Sequence, residues 1–78
     1  MSHGYGLHTA KIIKEADGRL LGVKLGRLCV NNDISATDVA KKFHVTRQTI
    51  YNWFMGKTAI RNQNLIVAVQ KYIEQLER

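Results

Sequence analysis

The sequence predicts an all-α fold, a compact domain of four to five short helices. Three observations carry this. From residue 19 onward, apolar side chains recur at three- and four-residue intervals, the period of one helix face. Most of these stretches are bounded by residues that cap helices or form turns. Residues 36–55 divide into two short helices around a tight turn. The 78 residues suffice for one small domain. Its core is thin enough that a partner subunit would help it.

The chain divides into an N-terminal arm, residues 1–18, partly flexible, and a helical domain, residues 19–78. Residues 1–8 are Gly-rich and patternless, as in a mobile arm. Residues 9–16 end at Asp17-Gly18, a turn signal. They fit either a helical turn or one strand of a hairpin with residues 19–23. The helical or irregular form is preferred.

The first helix of the domain is expected over residues 19–31, with Leu21, Leu25 and Leu28 on one face. Gly22 and Gly26 each weaken it by roughly 1 kcal/mol relative to Ala. Their four-residue spacing would permit a close helix contact. Arg19, Lys24 and Arg27 are expected as plain surface residues, and Asn31-Asn32-Asp33 stops the helix.

Ser35 suits an N-cap, with Asp38 three residues on as in a capping box. A helix over 36–43 follows, with Val39, Ala40 and Phe43 inward. His44-Val45 makes the turn. Thr46 caps a helix over about 47–55, whose inward residues are Ile50, Trp53 and Phe54. Gly56 closes it. Residues 57–61 form a loop, and Asn62 or Asn64 caps a last helix that runs to about Leu76. Its stripe is Leu65, Val69, Tyr72 and Leu76, widened by Ile66 and Ile73.

Twelve Lys+Arg against six Asp+Glu give a net charge of +6, which favours an anionic partner, nucleic acid above all. Cys29 is the single cysteine, so neither a disulfide framework nor a cysteine metal cluster can form. It is expected as a small buried apolar residue in a reducing, cytosolic setting. No apolar run approaches the ~18 residues of a membrane span, and no secretory signal opens the chain. His3, His8 and His44 show no metal-ligand spacing with carboxylate or cysteine partners. No nucleophile, base and orienting group stand together, and there is no phosphate-binding glycine loop. Catalysis, a metal and a cofactor are therefore not expected.

The pattern over residues 19–76 resembles the helix-turn-helix domain of the phage Cro and repressor family, the Xre type. Ala40 matches the small residue at which the two motif helices cross. Val39, Val45, Ile50 and Trp53 match the buried positions, and Gly56-Lys57 follows the second helix as in that family. His44 departs from the usual Gly at the turn, a position that often needs a left-handed backbone. Ala36 departs from the Gln that often grips a phosphate at the start of the first motif helix, so that contact is not carried over.

The resemblance implies a lambda-repressor-like fold and a sequence-specific regulator of transcription that binds double-stranded operator DNA. It implies a homodimer on DNA and a cytoplasmic, nucleoid-associated protein of a bacterial host. A recognition helix enters the major groove by its N-terminal end, where every base pair shows a distinct donor and acceptor pattern. Arg47 suits the O6 and N7 of guanine; Gln48 and Asn52 suit the N6 and N7 of adenine. With Thr46 they form the expected base-contact set. Thr49, Tyr51 and Lys57, with Thr37, Lys41 and Lys42, are the expected phosphate contacts. Ile66 and Ile73 are the expected dimer contacts. Two other roles fit the same fold: an antitoxin or a replication or recombination accessory protein, and an inhibitor that binds a host protein. Acidic residues on the recognition helix would favour the inhibitor, and residues 46–57 contain none.

Overall fold

The computed structural model describes residues 7–78. It holds five helices and, among those residues, no strand: α1 (Leu7–Glu15), α2 (Leu21–Asn31), α3 (Ala36–Phe43), α4 (Arg47–Phe54) and α5 (Gln63–Leu76). The hairpin alternative for residues 9–23 is thereby excluded. Of the expected arm, Leu7 and His8 open α1; residues 1–6, His3 among them, lie outside the described residues.

Helix α1 packs on α2, and its Ile13 is fully buried in the common core. Asp17 then turns the chain. Its carboxylate accepts the Arg19 N–H at 3.0 Å and two guanidinium N–H groups at 3.1 Å each, and its main-chain carbonyl accepts the Leu20 N–H at 3.1 Å. Those bonds to Arg19 hold the Asp17 carboxyl below the usual carboxylate range. They also place Arg19 in the turn, so α2 begins at Leu21, two residues later than expected.

Arg27 is not a plain surface residue. Its guanidinium Nη2 donates to the Lys14 carbonyl at 2.8 Å and to the Ala16 carbonyl at 2.7 Å, and its Nε to the Ile13 carbonyl at 3.4 Å. The last carbonyls of a helix lack intrahelical partners. Arg27 supplies those of α1 from a neighbouring helix.

The inward face of α2 is Gly22, Leu25, Gly26 and Cys29, with Val23 buried beside it. Leu21 and Leu28, expected on that face, are half-buried at its edge. The stripe is rotated because two of its four positions are glycines, which leave room for α4. A Cβ built on Gly26 would stand 2.8 Å from the Phe54 Cβ. Burial also pushes the Cys29 thiol up to about 12.

Helices α2, α3 and α4 end in one way. Asp33 (φ 55°), His44 (φ 57°) and Gly56 (φ 76°) each take the left-handed backbone just past the helix. The next residue then donates back across the last turn: Ile34 to the Cys29 carbonyl at 2.9 Å, Val45 to Ala40 at 3.0 Å, Lys57 to Asn52 at 2.9 Å. This is the Schellman closure, usually built on glycine. Here an aspartate and a histidine occupy two of its three left-handed positions.

Helix α5 is capped by Asn62, whose Oδ1 accepts the N–H groups of Asn64 at 2.9 Å and Leu65 at 3.3 Å. Its buried residues are Val69 and Ile73; Leu65, Ile66, Tyr72 and Leu76 are half-buried. The stripe is thus centred on the residue expected at its margin. Ile73 is 4% exposed and belongs to the core, which removes it from the expected dimer contacts.

Candidate nucleic-acid interface

Helices α3 and α4 form the two-helix unit expected from residues 36–55. Ser35 opens α3, its Oγ accepting the Asp38 N–H at 3.1 Å. Val39, Ala40 and Phe43 are buried against the core. His44 turns the chain in the left-handed conformation with its side chain exposed. Thr46 opens α4, its Oγ1 accepting the Thr49 N–H at 3.1 Å. Caps of this kind each contribute about 1 kcal/mol.

Ile50, Trp53 and Phe54 bury one side of α4. Fully burying side chains of this size stabilises by roughly 1.5–3 kcal/mol each, which fixes the rotation of the helix about its axis. Gln48 and Asn52, of the expected base-contact residues, lie on the other side, and Thr46 and Arg47 stand at the N-terminal end. Arg47 and Gln48 are exposed, Asn52 is half-buried, and Thr46 is exposed at the N-terminus. No acidic residue stands in the first turn of α4, so the positive end of its dipole is not offset locally.

Two side-chain bonds organise this face. Gln48 Nε2 donates to Asn52 Oδ1 at 3.1 Å, and the hydroxyls of Thr46 and Thr49 lie 2.9 Å apart in a hydrogen bond. The residues stand in the sequence at separations that permit this pairing. Its signal is the spacing, i to i+4 and i to i+3, which puts side chains on one face of a helix.

The expected phosphate contacts divide. Lys57 directly follows Gly56 and is exposed beyond the C-terminus of α4. Thr37 and Lys41 are exposed on α3; Thr49 and Tyr51 are half-buried on α4. Lys42 is drawn elsewhere. Its ammonium sits 4.8 Å from the centre of the Tyr72 ring on α5, and that ring meets Phe43 edge-on at 5.7 Å. Nothing in the local sequence announces this contact, because its partners are thirty residues apart.

Among the described residues no helix is long and apolar enough to cross a membrane, and no group of three or more His, Cys, Asp or Glu could hold a metal. The chain matched none of the curated proteins and none of the solved structures compared with it. A family model described as helix-turn-helix matches residues 20–76, from the residue that precedes α2 to the last residue of α5. The chain therefore belongs to the Xre and lambda-repressor type of helix-turn-helix family, a family of DNA-binding regulatory domains.

Proposed function

We propose that the protein is a sequence-specific transcription regulator of the Cro type, a repressor that lays the N-terminal end of α4 in the major groove of an operator. The observation that carries this reading is the division of α4. Its inward residues are buried, while Gln48 and Asn52 stand on the other side and Arg47 is exposed in a first turn that has no acid. Arg47 pairs with guanine, and the amides suit adenine, each good pair contributing roughly 1–3 kcal/mol of discrimination. The Thr46 and Thr49 hydroxyls share one hydrogen bond, so one of their two O–H protons remains to donate to a phosphate.

Lys57, Lys41 and Thr37 supply the sequence-independent, salt-dependent part of the affinity, with Tyr51 beside them. Lys42 contributes least, being held over Tyr72. Repression follows by occlusion, the bound protein covering a promoter that overlaps its operator.

A homodimer fits this role, with two copies of α4 about one helical turn, ~34 Å, apart on DNA. Val67, which is 40% exposed, and the half-buried Ile66 beside it are apolar α5 residues that a second copy could cover. Selection from random duplex DNA tests the reading. It should enrich a two-fold-related pair of half-sites bound by two copies; an unenriched pool would reject the operator role. A monomeric profile at micromolar concentration, even with the enriched duplex present, would reject the dimer.

A further inference from the structure

We infer that Asn52 is a positioning residue for Gln48, so that the two amides read the groove as one unit rather than as two independent adenine readers. This rests on the major-groove reading of α4. The bond from Gln48 Nε2 to Asn52 Oδ1, 3.1 Å, joins residues one turn apart on the outward face. The two partners are not alike. Gln48 is exposed near the start of α4, on a side chain with three rotors.

Asn52 is half-buried in the last turn, and its main-chain carbonyl accepts the N–H groups of Lys57 at 2.9 Å and Thr58 at 3.4 Å. It is the anchored partner. It stands between Ile50 on one side and Trp53-Phe54 on the other, all buried, so the backbone that carries it is fixed by the core.

The hydrogen-bond inventory of the pair fits this division. A primary amide has two N–H donors and one carbonyl acceptor. Gln48 gives one N–H to Asn52 and keeps its Oε1 and its second N–H. Those two are the set that adenine requires, an acceptor for N6–H and a donor for N7. Asn52 commits an Oδ1 lone pair to Gln48 and keeps the Nδ2 donors. The bond therefore leaves the adenine-reading edge of Gln48 available and fixes the orientation of its amide before DNA arrives. Rotamer freedom restricted in the unbound protein is not lost again on binding.

The test uses the whole chain and an enriched duplex, with every base pair varied singly. The Gln48 base pair is the one whose preference disappears in Gln48→Ala. Asn52→Ala should weaken the preference at that same base pair, by about tenfold, and the effects of the two substitutions should be non-additive. Asn52→Asp keeps the acceptor oxygen and adds a negative charge. It should bind all duplexes more weakly yet retain the preference at the Gln48 base pair. A discriminating wild type whose Asn52→Ala variant leaves that preference intact would overturn this inference alone. A wild type that binds all duplexes alike would overturn both the inference and the reading beneath it.

Discussion

Gly22 lies directly beneath the main chain of Trp53: a Cβ built on Gly22 would stand 2.7 Å from the Trp53 Cβ and 2.8 Å from its carbonyl oxygen. Gly26 makes the equivalent approach to Phe54 one turn further on. Helix α4 is therefore seated on the bare backbone of α2, and the two glycines set the depth of the seat. Gly22→Ala has only main chain and a Cβ to push against. It should destabilise the fold by about 1–3 kcal/mol, as overpacking does. Urea denaturation measures this. A neutral Gly22→Ala would contradict the seat.

The left-handed closures lead to the opposite sign. His44 (φ 57°) and Asp33 (φ 55°) hold a conformation in which a Cβ crowds the following carbonyl. Glycine removes that crowding but loses more backbone entropy on folding. His44→Gly and Asp33→Gly should be neutral or stabilising, by up to about 1 kcal/mol each. His44→Val should lower the thermal midpoint, because a β-branched residue tolerates this backbone worst. A clear loss of stability in His44→Gly would contradict the turn geometry.

Arg27 ties α1 to the body through the carbonyls of Ile13, Lys14 and Ala16. Arg27→Met keeps much of the apolar stem and removes the donors. Amide hydrogen exchange should speed up in α1 while α3 and α4 remain protected, and global stability should fall by about 1–3 kcal/mol. Unchanged α1 protection would show that Ile13 alone holds that helix.

The buried thiol of Cys29 makes stability depend on alkaline pH. Its value in the fold, about 12, exceeds the ordinary 9.0. A raised folded value means that the contribution is fully present below the unfolded pKa and is lost as pH rises toward the folded one. The loss runs at about 1.4 kcal/mol per pH unit across that window. Cys29→Ala lacks it, and lysine titration cancels in the comparison. The stability gap between wild type and Cys29→Ala should shift by about 1–2 kcal/mol against the wild type from about pH 8 to about pH 10. A constant gap would contradict the burial of the thiol.

Arg47 and Lys57 should separate the two parts of DNA affinity. Arg47→Ala should relax selectivity at one guanine position, by roughly 1–3 kcal/mol. Lys57→Ala should weaken all duplexes alike and reduce the slope of log affinity against log salt by about 1.

What the sequence made legible follows from how local each cause is. The caps Ser35, Thr46 and Asn62 and the end at Gly56 act within three or four residues, so the bounds of α3 and α4 could be read directly and the cap of α5 narrowed to Asn62 or Asn64. The inward set of α4 could be read because Ile50, Trp53 and Phe54 are large and periodic. The inward set of α2 could not, because apolar periodicity gives no weight to Gly22 and Gly26, whose role is to be small. Ile73 lies in the core and not at its margin, which the sequence hides for a related reason: the widest apolar stripe on α5 does not reveal which of its rows faces α2. Arg27 on the end of α1 and Lys42 over Tyr72 join distant segments and left no local mark. On the candidate interface the residue types were legible, but the Gln48–Asn52 bond required the side chains.

Helix α4 is proposed to read DNA sequence. The most direct test is the equilibrium affinity of the wild-type chain for its enriched duplex and for a scrambled duplex of equal composition, each at two salt concentrations. The enriched duplex should bind tighter by a factor on the order of 10³ or more. Both affinities should fall with salt, while the preference persists. Equal affinity for the two duplexes at both salt concentrations would contradict the account.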